Sequence, residues 1–265
     1  IAIISSIFGI KTIFSFAGFG ILSKRKGLNR LIFIFVIKFI GYLSSIERSK
    51  GFKWIKNYER VKFIFQNSND MAFFEQNVKF VPKNNNNLIL GSGVPMHYFN
   101  KNNINNFQEY NWFKENINKT SRIEFIFCAR LLKSKGILIF KDLAKFLRNH
   151  KFTVFGNVDP ANNDSITNQD ILFFESESKN LEFKGNLKDP LKNYKFKGLP
   201  ILVVPSNYGE GVSRSIVEGL SQGIPTICSK SVSSKLFNES YLYISSSNDV
   251  KSYIICYENI LKDSL

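Results

Sequence analysis

Cysteine and histidine are scarce in this chain, with three of the first and two of the second in 265 residues. Cys128, Cys228 and Cys256 lie far apart and form no C-x-x-C pair, which excludes a redox dithiol, a zinc ribbon and a disulfide framework. Each sits among apolar neighbours and reads as a buried, reduced thiol, as in a cytosolic protein. His97 and His150 are too few and too separated to hold a metal. No Walker A sequence occurs, and no nucleic-acid recognition module, so a nucleic-acid partner is not expected. Nor does any apolar run reach the ~20 residues of a membrane span. The longest, Leu31 to Leu43, is interrupted by Lys38 and reads as a buried or interfacial helix.

Acidic residues are rare at one end only. Residues 1–100 carry 14 Lys and Arg against 4 Asp and Glu, whereas residues 101–265 carry 22 against 17. A basic, aromatic-rich first part suits an anionic surface, and the net charge of +15 belongs mainly to it. Phe, Ile, Lys and Asn are all abundant, down to the run Asn84 to Asn87, a bias of AT-rich coding that discounts part of that charge. Ile1 and Leu265 both fall inside apolar helical patterns, so the sequence reads as a piece of a longer chain.

The remainder alternates strand and helix. Strands are expected at Lys11–Phe16, Val61–Gln66, Leu88–Leu90, Ile123–Cys128, Phe152–Phe155, Leu181–Phe183, Ile201–Val204 and Thr226–Cys228. Helices are expected at 29–45, 69–75, 137–149, 212–221 and 250–262. A polar linker at Asn100–Asn106 divides the pattern into residues 1–104 and 105–265. Repeated strand–helix units imply parallel sheets covered on both faces, hence two doubly wound α/β domains facing a cleft.

Chemistry concentrates in Pro205-Ser-Asn-Tyr-Gly-Glu-Gly-Val-Ser-Arg-Ser-Ile-Val-Glu218, which leaves a buried strand, turns through glycines and opens a helix. Gly209 and Gly211 admit a phosphate to the backbone at a helix N-terminus, where free N–H groups and the dipole favour an anion. Glu210 and Glu218 stand on either side of that point. Ser215-Ile216-Val217-Glu218 equally fits a capping box, and the residues alone do not choose between a ligand and a cap. Cys128-Ala-Arg-Leu-Leu-Lys-Ser-Lys-Gly136 ends another strand, and in a parallel sheet its Arg130 and Lys135 share an edge with Glu210, as a diphosphate leaving group requires. Gly18-Phe19-Gly20 and Gly91-Ser92-Gly93 place flexible backbone at the corresponding edge of the first part, each a weak signal alone.

Together these segments resemble the retaining family-4 glycosyltransferases of the GT-B fold, over nearly the whole chain. VVPSNYGEGVSRSIVEGLSQGIPTIC carries that family's E-x7-E pair, ARLLKSKGI its R-L-x-x-x-K-G-I segment, and FTVFGNVDPANNDSI and EFKGNLKDP resemble the loops of members that build bacterial surface polysaccharides. SFAGFG, VKFIFQNSND and LILGSGV resemble the end of an acceptor domain whose first half is missing. Gly219, Ser213 and Pro95 replace a usual alanine, a frequent proline and a frequent acidic residue. The acceptor-domain histidine of many relatives has no counterpart in Ser15-Phe-Ala-Gly18.

The resemblance implies two Rossmann-like domains, the N-terminal one incomplete, and assigns roles. Arg130 and Lys135 bind the donor diphosphate and Glu210 contacts the transferred sugar, these three forming the catalytic set. Gly211, Val212 and Ser213 offer backbone N–H groups, Glu218 takes the ribose, and Gly156 belongs to the donor site. Gly18, Gly20, Gly91 and Gly93 line the acceptor side. The expected activity moves a hexose or N-acetylhexosamine from a UDP-type nucleotide sugar to a polyprenyl-diphosphate-linked polysaccharide precursor, without cofactor or metal. It would work at the cytoplasmic face of the plasma membrane, with Lys24-Arg25-Lys26 and the helix at 29–45 against anionic lipid. Alternatives are a donor-binding module without catalysis, or a sugar-nucleotide epimerase of the same fold, for which no acid/base residues are found.

Overall fold

The computed structural model describes residues 2–19, 27–48, 54–91, 93–95, 98, 116, 122–207, 212–232 and 242–263. The chain forms two compact units, one mainly of residues 1–92 and the other mainly of residues 93–209 and 213–265. The expected linker at 100–106 lies outside the described residues.

The first unit runs α1 (Ala2–Phe8), β1 (Thr12–Phe16), α2 (Leu28–Ser45), β2 (Ile46–Arg48), β3 (Trp54–Lys56), β4 (Val61–Phe65), α3 (Ser68–Asn77) and β5 (Asn86–Leu88). β1, β4 and β5 make a parallel sheet in that order, with Phe14 opposite Phe63 and Phe63 opposite Asn86, while β2 and β3 form an antiparallel pair. Phe63, Phe65 and Phe74 are fully buried, and Phe16 stacks on Phe65 at 5.3 Å between ring centroids. β5 lies two residues earlier than the apolar triplet Leu88–Leu90 suggests. The asparagines there are structural: Asn85 Nδ2 donates to the carbonyls of Tyr58 and Val61, and Asn86 Nδ2 donates to Glu75 at 3.1 Å.

One buried cation ties this unit together. Arg60 donates to the carbonyl oxygens of Ser5 at 2.5 Å and Ile10 at 3.3 Å after α1, and of Ser44 at 3.1 Å and Ile46 at 2.6 Å at the end of α2. By length and composition α2 could cross a membrane, but Ile37, Gly41, Ser44 and Ser45 on one face are buried in the unit. Leu28, Leu31, Phe35, Phe39 and Tyr42, at three- and four-residue spacing, leave the opposite face apolar and exposed.

The second unit contains β6 (Ile123–Cys128), α4 (Ile137–Phe146), β7 (Lys151–Phe155), α5 (Asn168–Glu177), β8 (Leu181–Phe183), α6 (Pro190–Asn193), β9 (Leu199–Val204), α7 (Arg214–Ser221), β10 (Thr226–Ser229), β11 (Leu242–Ser245) and α8 (Val250–Asp263). Its six strands are all parallel, in the order β11-β10-β9-β6-β7-β8. The chain therefore builds outward from β6 in one direction, returns to β9 beside β6, and builds outward in the other. This is the doubly wound arrangement, and its switch point lies between β6 and β9.

Two boundaries differ from the sequence pattern. β9 starts at Leu199 and includes Pro200 rather than stopping at it. Leu199 N donates to Arg122 on the β6 side, so the Pro200 nitrogen faces the β10 side, where pairing begins only at Leu202; its missing N–H costs no ladder bond. α4 ends at Phe146, not 149, because Asn180 Nδ2 takes the carbonyls of Ala144 (3.0 Å), Leu147 (3.3 Å) and His150 (3.0 Å).

Replacing Arg60 with methionine keeps the stem's packing but removes its bonds to four carbonyl oxygens, of which Ser5 O keeps the Ile10 N–H. A loss of about 3 kcal/mol is expected from leaving buried acceptors unpaired, read as an earlier urea or thermal transition and faster proteolysis within residues 1–92.

Candidate donor site at the sheet switch point

Both motif-bearing loops leave the sheet at the switch point. Ile126 pairs with Leu202, so β6 and β9 end level with one another, at Cys128 and Val204. After β6 the chain passes through Arg130 into a 3-10 turn at Lys133–Lys135, then enters α4 through Gly136, whose φ of 83° favours glycine. A Cβ on Gly136 would lie 2.2 Å from the Pro205 carbonyl oxygen. The contact continues as Asn207 N and Ser206 Oγ donate to Ser134 O at 2.9 and 3.2 Å. The turn holding Lys135 is thus fastened to the segment that leads towards Glu210.

A second close approach lies on the other side. Gly156, with φ of 145°, follows β7, and a Cβ there would fall 1.9 Å from Ala129 O. The loop after it folds over the Lys133–Lys135 turn: Ile166 N donates to Leu131 O at 3.0 Å, Lys133 N to Asp164 O at 2.8 Å, and Ser134 N to Asp164 Oδ2 at 2.9 Å. Gly156 therefore acts here by allowing backbone contact between strand ends.

The cations differ in setting. Arg130 is largely exposed and pairs with Asp159 at 3.1 Å. Lys135 is more enclosed, and burial, followed by the neighbouring Arg130 charge, brings its pKa down to about 8. The sequence pattern brought Arg130 and Lys135 together, and the structure does too; Asp159 and Asp164 it did not single out.

α7 begins at Arg214, two residues later than expected, with Ser213 in extended conformation at its N-cap. Ser215 therefore lies within the helix, and the expected capping-box alternative is not what forms. Instead Glu218 Oε1 accepts from Arg214 Nε at 2.6 Å, and the Glu218 side chain is only 9% exposed. Gly219 is explained by packing, since a Cβ there would stand 2.6 Å from Leu202 Cδ2. Tyr98 lies near enough to help raise the Arg214 pKa, and its hydroxyl donates to Asp189. The i,i+4 spacing of Arg214 and Glu218 was a usable signal; Tyr98 and Asp189 are too distant in sequence to have given one.

Glu210, Gly211, Gly20 and His97 lie outside the described residues, and Val212 and Ser213 precede α7. In the first unit Gly18 has φ of 143°, and the neighbouring Phe19 N donates to Asp70 at 2.7 Å, so a side-chain carboxylate occupies that amide. Gly91 and Gly93 both have positive φ. All three cysteines are free, and burial pushes the Cys128 and Cys228 thiols up to about 12. His150 accepts from Ile123 N at 3.4 Å and sits 3.0 Å from the Tyr257 hydroxyl, with burial lowering its pKa. Among the described residues no three His, Cys, Asp or Glu side chains cluster as a metal site.

Solved structures with this architecture are glycosyltransferases of the GT-B fold. HepE of Anabaena, in complex with UDP, superposes with a TM-score of 0.65 at 15% identity, covering 99% of this chain and 67% of HepE. Sucrose-phosphate synthase of Thermosynechococcus elongatus gives 0.64 at 16% identity, covering 96% of this chain and 59% of that one. A glycosyltransferase of Rickettsia africae gives 0.55 at 15% identity, with 77% and 56% covered. The chain thus spans between 56% and 67% of these relatives, and the likeness establishes its fold as GT-B. No curated protein matches it at a significant level. Residues 108–254, more than half of the chain, match the family glycosyl transferases group 1, and the chain belongs to that family.

The Lys135 pKa sets a pH dependence. Its positive charge is present below about 8 and lost above, so any diphosphate affinity that depends on it, probed by calorimetry with UDP, should fall as pH rises through that value and be flat and weaker in Lys135→Met. Stability runs the opposite way: the fold disfavours protonated Lys135, so a small gain is expected between pH 8 and 10.5.

Proposed function

We propose that the protein is a retaining glycosyltransferase of family 4, transferring a hexose or N-acetylhexosamine from a UDP-type nucleotide sugar to a lipid-linked polysaccharide precursor. The observation that carries this reading is the placing of the two motif loops at the sheet switch point, where doubly wound folds bind nucleotides. HepE, of the same fold, has been solved with UDP and with UDP-glucose, which supports a uridine donor here.

In this reading Lys135 and Arg130 meet the donor diphosphate, Arg130 exchanging Asp159 for the phosphate. Backbone N–H groups of Gly211, Val212 and Ser213 at the start of α7 hold the same group. Glu210 contacts the transferred sugar and Glu218 takes the ribose. The fixed cations offset charge as it grows on the departing diphosphate, so no metal is required of the site. The leaving phosphate itself accepts the acceptor's proton. The first unit, mainly residues 1–92 rather than 1–104, belongs to the acceptor side, with Gly18, Gly20 and Gly91 facing it. Three parallel strands among the described residues of that unit support reading it as part of a larger domain.

The chain, incubated with nucleotide sugars and a lipid extract, is expected to release nucleotide, and Glu210→Gln to suppress release by about a hundredfold, the scale of one lost electrostatic contact to the transition state. Undiminished release by that variant would refute the assignment.

The exposed apolar face of α2 and the adjoining basic segment Lys24-Arg25-Lys26 support a peripheral place on the cytoplasmic face of an anionic membrane. Each cation contributes about 1 kcal/mol near such a surface. Reversing all three charges should abolish sedimentation with phosphatidylserine vesicles; retained binding removes the membrane from the reading.

A further inference from the structure

The second unit joins residues of two sequence motifs through one residue, Tyr98, that neither contains. Arg214 Nε donates to Glu218 Oε1 at 2.6 Å. The Tyr98 hydroxyl, near enough to Arg214 to help raise its pKa, donates to the Asp189 carboxylate. Tyr98 is 2% exposed, and its own carbonyl accepts from Gln222 Nε2 at 2.6 Å, just past the C-terminus of α7. Asp189 is held in turn by a left-handed backbone, with φ of 50°, at the start of α6. Burial, then the Asp189 hydrogen bond, pushes the Tyr98 pKa up, so its hydroxyl keeps its proton as donor.

Exposed Arg–Glu pairs one helical turn apart are common and weak. This pair is unlike them because its acid is buried while its base is not: the Glu218 side chain is 9% exposed and that of Arg214 59%. Glu218 Oε1 is engaged by Arg214, and Oε2 takes no hydrogen bond from the described residues. A buried carboxylate turned by a guanidinium, with its second oxygen uncommitted, matches a vicinal diol, which donates two hydrogen bonds to one carboxylate.

We propose that Arg214, restrained by Tyr98 and Asp189, is the positioning residue that orients Glu218 towards the two ribose hydroxyls of a nucleoside diphosphate. This rests on Glu218 as the ribose ligand, and it adds specificity for ribo- over 2′-deoxyribonucleotides. Three side chains from separate segments would then set one contact.

The test is calorimetric binding of UDP and 2′-deoxyuridine diphosphate to the full chain. Wild type should prefer UDP by about tenfold, the scale of one charge-assisted hydrogen bond. Arg214→Gln should reduce that preference to about twofold or less while leaving affinity for the deoxy analogue nearly unchanged, with Arg214→Lys restoring part of it. Tyr98→Phe, which preserves packing, should fall between, and it decides the matter if Arg214→Gln melts abnormally by circular dichroism. Equal weakening of both ligands, with the preference intact, would mean a merely structural role and overturn the proposal. Glu218→Gln separates the two levels. If it loses the preference while Arg214→Gln and Tyr98→Phe keep it, only the positioning role fails; if it keeps the preference, Glu218 is not the ribose ligand and both fail. Absence of any binding of UDP, ADP or GDP to wild type overturns the donor-site reading together with this one.

Discussion

Backbone touching backbone at the ends of parallel strands is the constraint on which the second unit depends. Gly136 stands against the Pro205 carbonyl and Gly156 against that of Ala129, at separations no Cβ could occupy. A doubly wound sheet sends its chain both ways from one pair of strands, and here the loops from β6 and β9 close over that pair. With side chains at 136 and 156 the loops would have to lift apart. Their backbone approach instead draws Asn207 and Ser206 onto Ser134, and Asp164 onto the same turn. The position of the turn that carries Lys135 is therefore set by contacts within the protein itself.

Electrostatics follows from that enclosure. A lysine fixed beside an arginine and partly out of water has a lowered pKa, since both burial and the like charge disfavour its protonated form. Arg130 has Asp159 as its counter-charge, at a mostly exposed position where such a pair contributes little and exchanges readily. The two cations are thus unequal: burial lowers the pKa of one, while the other is a mostly exposed member of an ion pair.

Much of this architecture is legible in the sequence, for a definite reason. β6, β7, β9 and β10 lie between other strands and under helices, so each reads as an apolar run with turn residues after it. β11 and the β2–β3 pair were not expected from the pattern, and α5 has a weak apolar face. α5 does carry the local signal of Thr167 and Asp170, which form a capping box by exchanging side-chain and backbone bonds. The box that the pattern suggested, at Ser215 and Glu218, is absent because the helix starts one residue before Ser215. Of the site, the two motif loops are legible, since glycines and charges recur at fixed spacing. Tyr98 and Asp189 are not, because contacts across 91 residues leave no periodic trace.

Gly219 shows how a departure from the family pattern can have a packing reason. A helix packs closest to a sheet where it has no side chain, and Leu202 of β9 fills the space that an alanine methyl group at 219 would require. Close packing at that point holds α7 down on the central strands and keeps its neighbour Glu218 nearly out of solvent. A carboxylate so placed needs a partner, because unpaired burial of charge is costly. Arg214, one turn earlier, is the residue that α7 can supply without disturbing the sheet contact. On this account the glycine and the arginine are linked: the first sinks the helix, and the second answers the burial that sinking imposes on Glu218.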